Sequence, residues 1–363
     1  MNLSFTDEQN LLRDSVSKFC GSDYDFETRM KSVNSDLGHN KDHWRLFAEL
    51  GWLAIPFPEE MGGLDGGDVD LSLMFEEFGK SIVVEPYLAN VVLAGGILKR
   101  SDLDSKSELI EALISGETQM SLANYEPNKG FNLDNVDCEI NADGTVSGVK
   151  TTVLNAQNAE NFLVFGKHNG GHAFALIQND AEGLEVVGYK TYDGFVSGDL
   201  KLNNCKSIAV FSTGNALEIL DETVKEAIIC ICSEAIGAME KCYKLTIEYT
   251  QQREQFGQSL SKFQALQHRM VDMFMETEFS KSFLLKVLAT DDEAERTKLI
   301  YGLKNQVARA GKLVGEEAVQ MHGGVGVTDE YDVGLFMKRA RVTEQIFGNS
   351  EYHLDRYANL SDY

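Results

Sequence analysis

The chain has 363 residues, of which 43% are hydrophobic and only 4 are prolines, and it carries a formal net charge of −24 at pH 7. Its length leaves room for two or three substructures around a sizeable core, and its composition describes a folded, mostly helical chain rather than a disordered one. The acidic balance argues against nucleic acid or an anionic membrane as partner, since both are held through basic patches, and simple solubility accounts for it.

The first 118 residues read as helices. Thr6-x-x-Gln9 has the form of a capping box, and Leu11, Leu12, Val16 and Phe19 follow at helical spacing. The opening Met1-Asn-Leu-Ser-Phe-Thr-Asp-Glu lacks the basic and apolar parts of a signal peptide, and no stretch reaches the length of a membrane span. A cytoplasmic chain without membrane insertion is expected. Pro56-Phe-Pro-Glu-Glu-Met-Gly-Gly63 breaks the pattern, which resumes over 71–80 and 88–98.

From about 119 to 213 the period switches to two. Asp143-Gly144 is a hairpin signal between Cys138-Glu-Ile and Thr145-Val-Ser-Gly-Val, and further strands are expected at Asn161-Phe-Leu-Val-Phe, His172-Ala-Phe-Ala-Leu-Ile and Leu184-Glu-Val-Val. From 214 onward the pattern is helical again, near 216–252, 259–290 and 293–322, with a final helix from about 331. This order predicts an α+β protein with an N-terminal helical domain (1–118), a central β domain (119–213) and a C-terminal helical domain (214–363).

The 6 cysteines, at 20, 138, 205, 230, 232 and 242, show no metal-ligand spacing, and His168-Asn-Gly-Gly-His172 lies in a loop without cysteine or carboxylate company. Reduced, buried cysteines and no metal site are expected.

Two stretches point to a ligand: Arg253-Glu-Gln-Phe-Gly257 and Gln320-Met-His-Gly-Gly-Val-Gly-Val-Thr-Asp-Glu330. Each closes a long amphipathic run, and a Gly-Gly-x-Gly turn lets backbone N–H groups approach a phosphate with no Cβ in the way. A lone turn of this kind is weak, because most are helix C-caps. Taken together, Arg-x-x-Phe-Gly and a downstream Gln-x-x-Gly-Gly-x-Gly resemble the C-terminal half of the acyl-CoA dehydrogenase family. The resemblance extends to Phe5-Thr-Asp-Glu-Gln9, to Leu50-Gly-Trp-Leu-Ala-Ile-Pro-Phe-Pro-Glu-Glu-Met-Gly-Gly63, and to the segment from Tyr249 to Arg269. It covers essentially the whole chain.

That resemblance implies a central β-barrel or sandwich, a C-terminal four-helix bundle, and assembly as a dimer of dimers. It implies FAD as cofactor, an acyl-CoA thioester as substrate and an electron-transfer flavoprotein as redox partner. The family's reaction removes the α-proton with a glutamate while the β-hydride passes to the flavin. Carried over to this chain, Arg253 and Phe256 would hold the FAD pyrophosphate. Gln264 and Gln320 would read ribose or adenine, and Gly323 and Gly324 would admit the backbone to the phosphate. In the family these groups reach across an interface into a neighbouring subunit's FAD.

Departures from the pattern lie elsewhere. The stretch matching the usual base reads Glu344-Gln-Ile-Phe-Gly-Asn-Ser350, which puts Gly348, or Phe347 in the adjacent register, where the glutamate belongs. The family's alternative base position falls on Ala227 and Ile228, with Glu226 one residue away, about 100° around the helix. Glu344 and Glu351 read as helix-surface charges. The flavin-ring loop reads Asn124-Tyr-Glu-Pro-Asn-Lys-Gly-Phe131 and keeps only Glu126 and Pro127. In Lys150-Thr-Thr-Val-Leu-Asn155, Thr152 replaces a tryptophan and Leu154, which has no donor, replaces a threonine. Leu335 and Arg339 replace an expected basic and an expected acidic residue, which implies loss of one interface ion pair.

No catalytic residue is therefore expected in this chain. The asymmetry resembles the small, non-catalytic subunit of heteromeric (α2β2) acyl-CoA dehydrogenases of the steroid side-chain or pimeloyl-CoA type, oxidoreductases of lipid or steroid catabolism in which a paralogous subunit carries the base. Two rivals remain: an active homotetramer using a displaced Glu226, Glu344 or Glu351, and a catalytically dead binding protein.

Overall fold

The computed structural model describes residues 5–328 and 331–361. Asp329 and Glu330, which end the glycine-turn motif, lie outside the described residues, as do residues 1–4 of the N-terminal reading.

In chain order the helices are α1 (Asp7–Ser22), α2 (Phe26–Asn34), α3 (Lys41–Glu49), α4 (Asp68–Ser81), α5 (Gly95–Arg100) and α6 (Lys106–Ile114). Eight strands follow: β1 (Met120–Ala123), β2 (Glu139–Ile140), β3 (Thr145–Leu154), β4 (Asn161–His168), β5 (Gly171–Gln178), β6 (Leu184–Lys190), β7 (Val196–Lys206) and β8 (Ala209–Phe211). The chain then continues through α7 (Ala216–Gln252), α8 (Gln264–Leu288), α9 (Glu293–His322), α10 (Val333–Gln345) and α11 (Ser350–Asn359). This is the acyl-CoA dehydrogenase-type α+β order of helices, sheet and helices. The contacts group into two units, one of residues 1–30, 68–83 and 228–363, the other of 31–67 and 84–227.

The first unit is helical. The capping box forms: Thr6 Oγ1 accepts from Gln9 N at 3.2 Å, and Thr6 N donates to Gln9 Oε1 at 3.1 Å, an arrangement worth about 1 kcal/mol. Val16 and Phe19 are buried as the spacing predicts, but Leu11 is 69% exposed, because α1 turns only a narrow stripe inward. α4 and α7 approach backbone to backbone: a Cβ on Gly237 would meet Glu76 O at 1.8 Å, and one on Gly79 would meet Glu234 O at 1.9 Å. Two helical expectations are corrected. The run expected from 259 becomes helical only at Gln264, because a two-stranded turn, Glu254–Gln255 with Gln258–Ser259, intervenes. The final helix is two, α10 and α11, broken at Phe347 and Gly348, which both adopt positive φ.

The second unit holds the sheet, in the order β6-β7-β3-β2-β4-β5-β8, with β1 pairing in parallel with β4. β4 is buried without alternation from Phe162 to Gly166, as a strand covered on both faces must be, whereas β6 alternates. The hairpin between β2 and β3 turns at Gly144, φ 81°, with Asp143 Oδ1 accepting from Thr145 N. The stretch expected as an ordinary helix over 88–98 begins as a π-helical turn, Leu88–Ala94. Asn90, buried there, accepts from Met120 N at 2.6 Å and so ties that turn to the start of β1.

Candidate functional site

The six residues expected on the adenosine side all lie in the first unit. Arg253, Phe256, Gln264, Gln320, Gly323 and Gly324 are exposed, Phe256 to 91%. Side-chain contacts pin their three carriers together. The ring of Tyr249, one turn before Arg253, stacks on His322 at 4.3 Å, and its hydroxyl donates to His322 O at 3.3 Å. That joins the end of α7 to the glycine turn. Arg269 on α8 pairs with Glu317 on α9. Positive charge, an aromatic ring, two amides and a bare glycine turn thus share one end of a helical bundle. This is a donor set suited to a diphosphate and a nucleoside.

The base positions are filled or closed. Gly348 has φ +117°, and a Cβ there would lie 2.6 Å from both His353 Nε2 and Tyr352 Cδ1. Phe347, the other register, is buried. The turn is held from three sides: Lys304 Nζ donates to Thr343 O at 2.6 Å and Glu344 O at 3.0 Å, Asn305 Nδ2 to Ser350 O at 2.7 Å, and His353 Nε2 to Phe347 O at 2.9 Å. Burial, then the Lys304 charge, pushes the His353 pKa down to about 3, so the ring is neutral and Nε2 carries the donated proton. Glu344 faces Arg341 at 3.4 Å, and Glu351 is exposed. In the second unit Ala227 is buried, and Glu226 is held between Lys99 Nζ at 2.9 Å and Arg100 Nη2 at 3.0 Å. Both partners are cations, so this carboxylate is already ion-paired within its own unit.

Sequence reading missed Lys304, although its signal was present: a lysine in the apolar stripe Leu299, Ile300, Leu303 and Val307 of α9, all buried. Burial pushes its pKa down to about 8. Because the unfolded lysine keeps its proton until about 10.4, the unfolded state binds more protons between those values. Stability should therefore rise with pH from about 8 to 10.4, at up to about 1.36 kcal/mol per pH unit, and have no slope from this group below 8. Urea unfolding of the parent and of Lys304→Met across this window checks it: equal slopes would show that Lys304 keeps its charge.

The ring-side positions all lie in the second unit. Glu126 is retained for a structural reason. Its carboxylate takes Lys150 Nζ at 2.7 Å, Asp137 N at 2.6 Å and Cys138 N at 3.0 Å, with Lys150 fully buried. Burial works against its ionised form, but Lys150 and the two N–H groups outweigh it, and the Glu126 pKa is lowered. Thr152 sits at a bulge, φ 54°, with its N–H given to Asp199 Oδ1 at 3.1 Å. Leu154, paired with Ser197, brings only carbon.

Arg339, expected to mark the loss of an interface ion pair, is buried and makes a bidentate pair with Glu234 inside this chain, at 2.6 and 2.9 Å. One further expectation changes. His172 does have carboxylate company, Asp134 Oδ1 at 3.4 Å, since the β4–β5 turn brings it there. Among the described residues no group of three or more His, Cys, Asp or Glu is placed to hold a metal, all 6 cysteines are free and buried, and no helix is long and apolar enough to cross a membrane.

Residues 6–117 match the family described as acyl-CoA dehydrogenase, N-terminal domain, and residues 209–360 match acyl-CoA dehydrogenase, C-terminal domain. Acyl-CoA dehydrogenase IpdE2 of Mycolicibacterium smegmatis is 26% identical over 355 residues, 97% of this chain and 98% of that protein. The fold superposes on the ChsE4-ChsE5 complex from Mycobacterium tuberculosis with a TM-score of 0.90 at 23% identity, covering 99% of this chain and 98% of that one. A structure described as a steroid ACAD variant gives 0.89 at 24% identity, covering 98% and 97%. The chain belongs to the acyl-CoA dehydrogenase family of flavin-dependent oxidoreductases, and its cofactor is FAD.

Proposed function

We propose that this chain is the non-catalytic subunit of a heteromeric acyl-CoA dehydrogenase. It lends adenosine-side contacts to FAD across an interface, while a paralogous subunit carries the base and holds the flavin ring. One contrast carries the reading. The six adenosine-side residues are present, exposed and gathered on one unit, whereas every base position is filled by a residue that cannot take a proton or by a carboxylate already paired. The surface beside Gln264 supports a partner: Val271, Phe274, Met275 and Phe279 of α8 are exposed at helical spacing, an apolar stripe that one chain alone leaves wet. The expected boundaries 1–118, 119–213 and 214–363 follow the order of helices, sheet and helices along the chain. The same reading includes a steroid-type CoA thioester, a heterotetramer, a cytoplasmic setting and electron-transfer flavoprotein as acceptor; neighbours described as a steroid ACAD and as a ChsE4-ChsE5 complex support its substrate type and its two-protein assembly.

In this arrangement the side chains here bind and orient. Arg253 neutralises the pyrophosphate, the glycine turn approaches it, and Gln264 and Gln320 fix the nucleoside. FAD, when bound, would supply the acceptor for the β-hydride of the thioester. The α-proton leaves to the partner's carboxylate, because an α-proton beside a thioester needs a positioned base within hydrogen-bond reach.

The test replaces Glu226, Glu344 and Glu351 by glutamine one at a time in the co-expressed complex. Dehydrogenation should stay within about tenfold of the parent, since loss of a true general base typically costs about 10²–10⁴-fold. A loss of that size at any of the three, or a stoichiometric flavin bleached by acyl-CoA in this chain purified alone, would hand the reaction back to this subunit.

A further inference from the structure

We infer that Tyr249 and His322 are positioning residues that set the glycine turn for the FAD diphosphate. This deepens the adenosine-side reading and rests on it.

The turn contains glycines of two kinds. Gly326 is required by its own chain: a Cβ there would meet His322 Cβ at 2.9 Å and Val319 O at 3.0 Å. Gly324 is not. Its φ lies outside the left-handed region, and a Cβ there would meet nothing within 4 Å. Gly323 needs its φ of +62° to leave the helix, but the space around it is likewise open. Nothing in the fold asks for a missing side chain at 324. Such a requirement comes from something that approaches the backbone from outside, as a phosphate does.

The conformation that presents this open backbone is held by His322. Its Nδ1 donates to Ala318 O at 2.8 Å, one helical turn back. Its ring stacks on Tyr249, at 4.3 Å and 27°, and packs against Tyr331 at 5.1 Å, the two tyrosines meeting edge to face at 6.4 Å, and its carbonyl, the last before Gly323, accepts from the Tyr249 hydroxyl. The bond that leads into Gly323 is thus gripped from α7, the helix that ends immediately before Arg253. Burial lowers the pKa of the His322 ring, so at neutral pH it stacks as an uncharged imidazole. A change in Tyr249 reaches the ligand through the angle of the turn rather than by contact.

The experiment measures the Kd of the co-expressed complex for FAD and, separately, for ADP, which probes the adenosine end alone. Tyr249→Phe removes only the hydroxyl and should raise both constants roughly fivefold, and Tyr249→Leu, which also removes the stack, more than that. The thermal midpoint of Tyr249→Phe should stay close to the parent's, and His322→Asn, which keeps a donor for Ala318 O, should retain more affinity than His322→Leu. FAD and ADP constants within twofold of the parent in Tyr249→Phe, alongside weakened binding in Arg253→Ala, overturn the positioning role and leave the adenosine site standing. Unchanged constants in both variants remove the adenosine reading itself, and the positioning role with it. Loss of thermal stability with unchanged ADP affinity assigns the stack to folding alone and likewise overturns the proposal.

Discussion

Arg253→Ala in the assembled complex is expected to raise the Kd for FAD by roughly ten- to hundredfold, the equivalent of one charge-assisted contact worth about 1.5–3 kcal/mol. The fold should barely register the change. Arg253 is exposed, and its guanidinium has no hydrogen bond or ion pair among the described residues, so truncation should move stability by no more than about 0.5 kcal/mol. Arg253→Lys should fall between parent and alanine, because an ammonium keeps the charge but loses the planar fork that matches a diphosphate. Flavin release followed by fluorescence, with thermal unfolding of the same samples, separates the two effects. An alanine variant that holds FAD as tightly as the parent would take Arg253 out of the site and leave it an ordinary helix-end charge.

Breaking the Arg339–Glu234 pair should be the most destabilising of the changes considered. Both side chains are almost fully buried, and the bidentate geometry satisfies both carboxylate oxygens. Arg339→Met leaves a buried carboxylate without its guanidinium, and Glu234→Gln takes the bidentate carboxylate charge away from Arg339. Each should cost about 3–5 kcal/mol in urea unfolding. Arg339→Met combined with Glu234→Leu should recover most of that loss, since two apolar side chains of similar volume leave no charge to desolvate, and the coupling should exceed about 2 kcal/mol. A single-variant cost below about 1 kcal/mol would mean that water reaches the pair. FAD affinity should be unaffected in the folded fraction, which distinguishes this internal pair from an interfacial one.

Much of this protein was fixed by local chemistry, and those parts were legible. The capping box at Thr6 and Gln9 needs only residues three apart, and the Asp143-Gly144 turn needs only a glycine free to take positive φ. The long helices α7 and α9 followed from apolar spacing, because a 3.6-residue period is written into the chain wherever one face is buried. The expected adenosine-side residues were named from a family resemblance, which Arg253, Phe256 and the glycines of 323–324 carry in short contiguous motifs.

Features made by residues far apart were decided only by the tertiary structure. The break at Phe347 and Gly348 depends on Lys304 and His353, which reach that turn from other positions of α9 and α11. Glu126 looked like a remnant of a flavin loop until Lys150 and the Asp137–Cys138 backbone were seen to consume its carboxylate. The core ion pair of Arg339 needs Glu234, 105 residues away along the chain. Leu11 has the spacing of a core residue, yet periodicity gives only the face of a helix and not how wide a stripe its neighbours cover. A sequence states which groups are available, because that is set by covalent chemistry. Which of them are spent on one another is set by distances through space: here those distances leave Arg253 and Gly324 exposed and crowd the turn at Gly348.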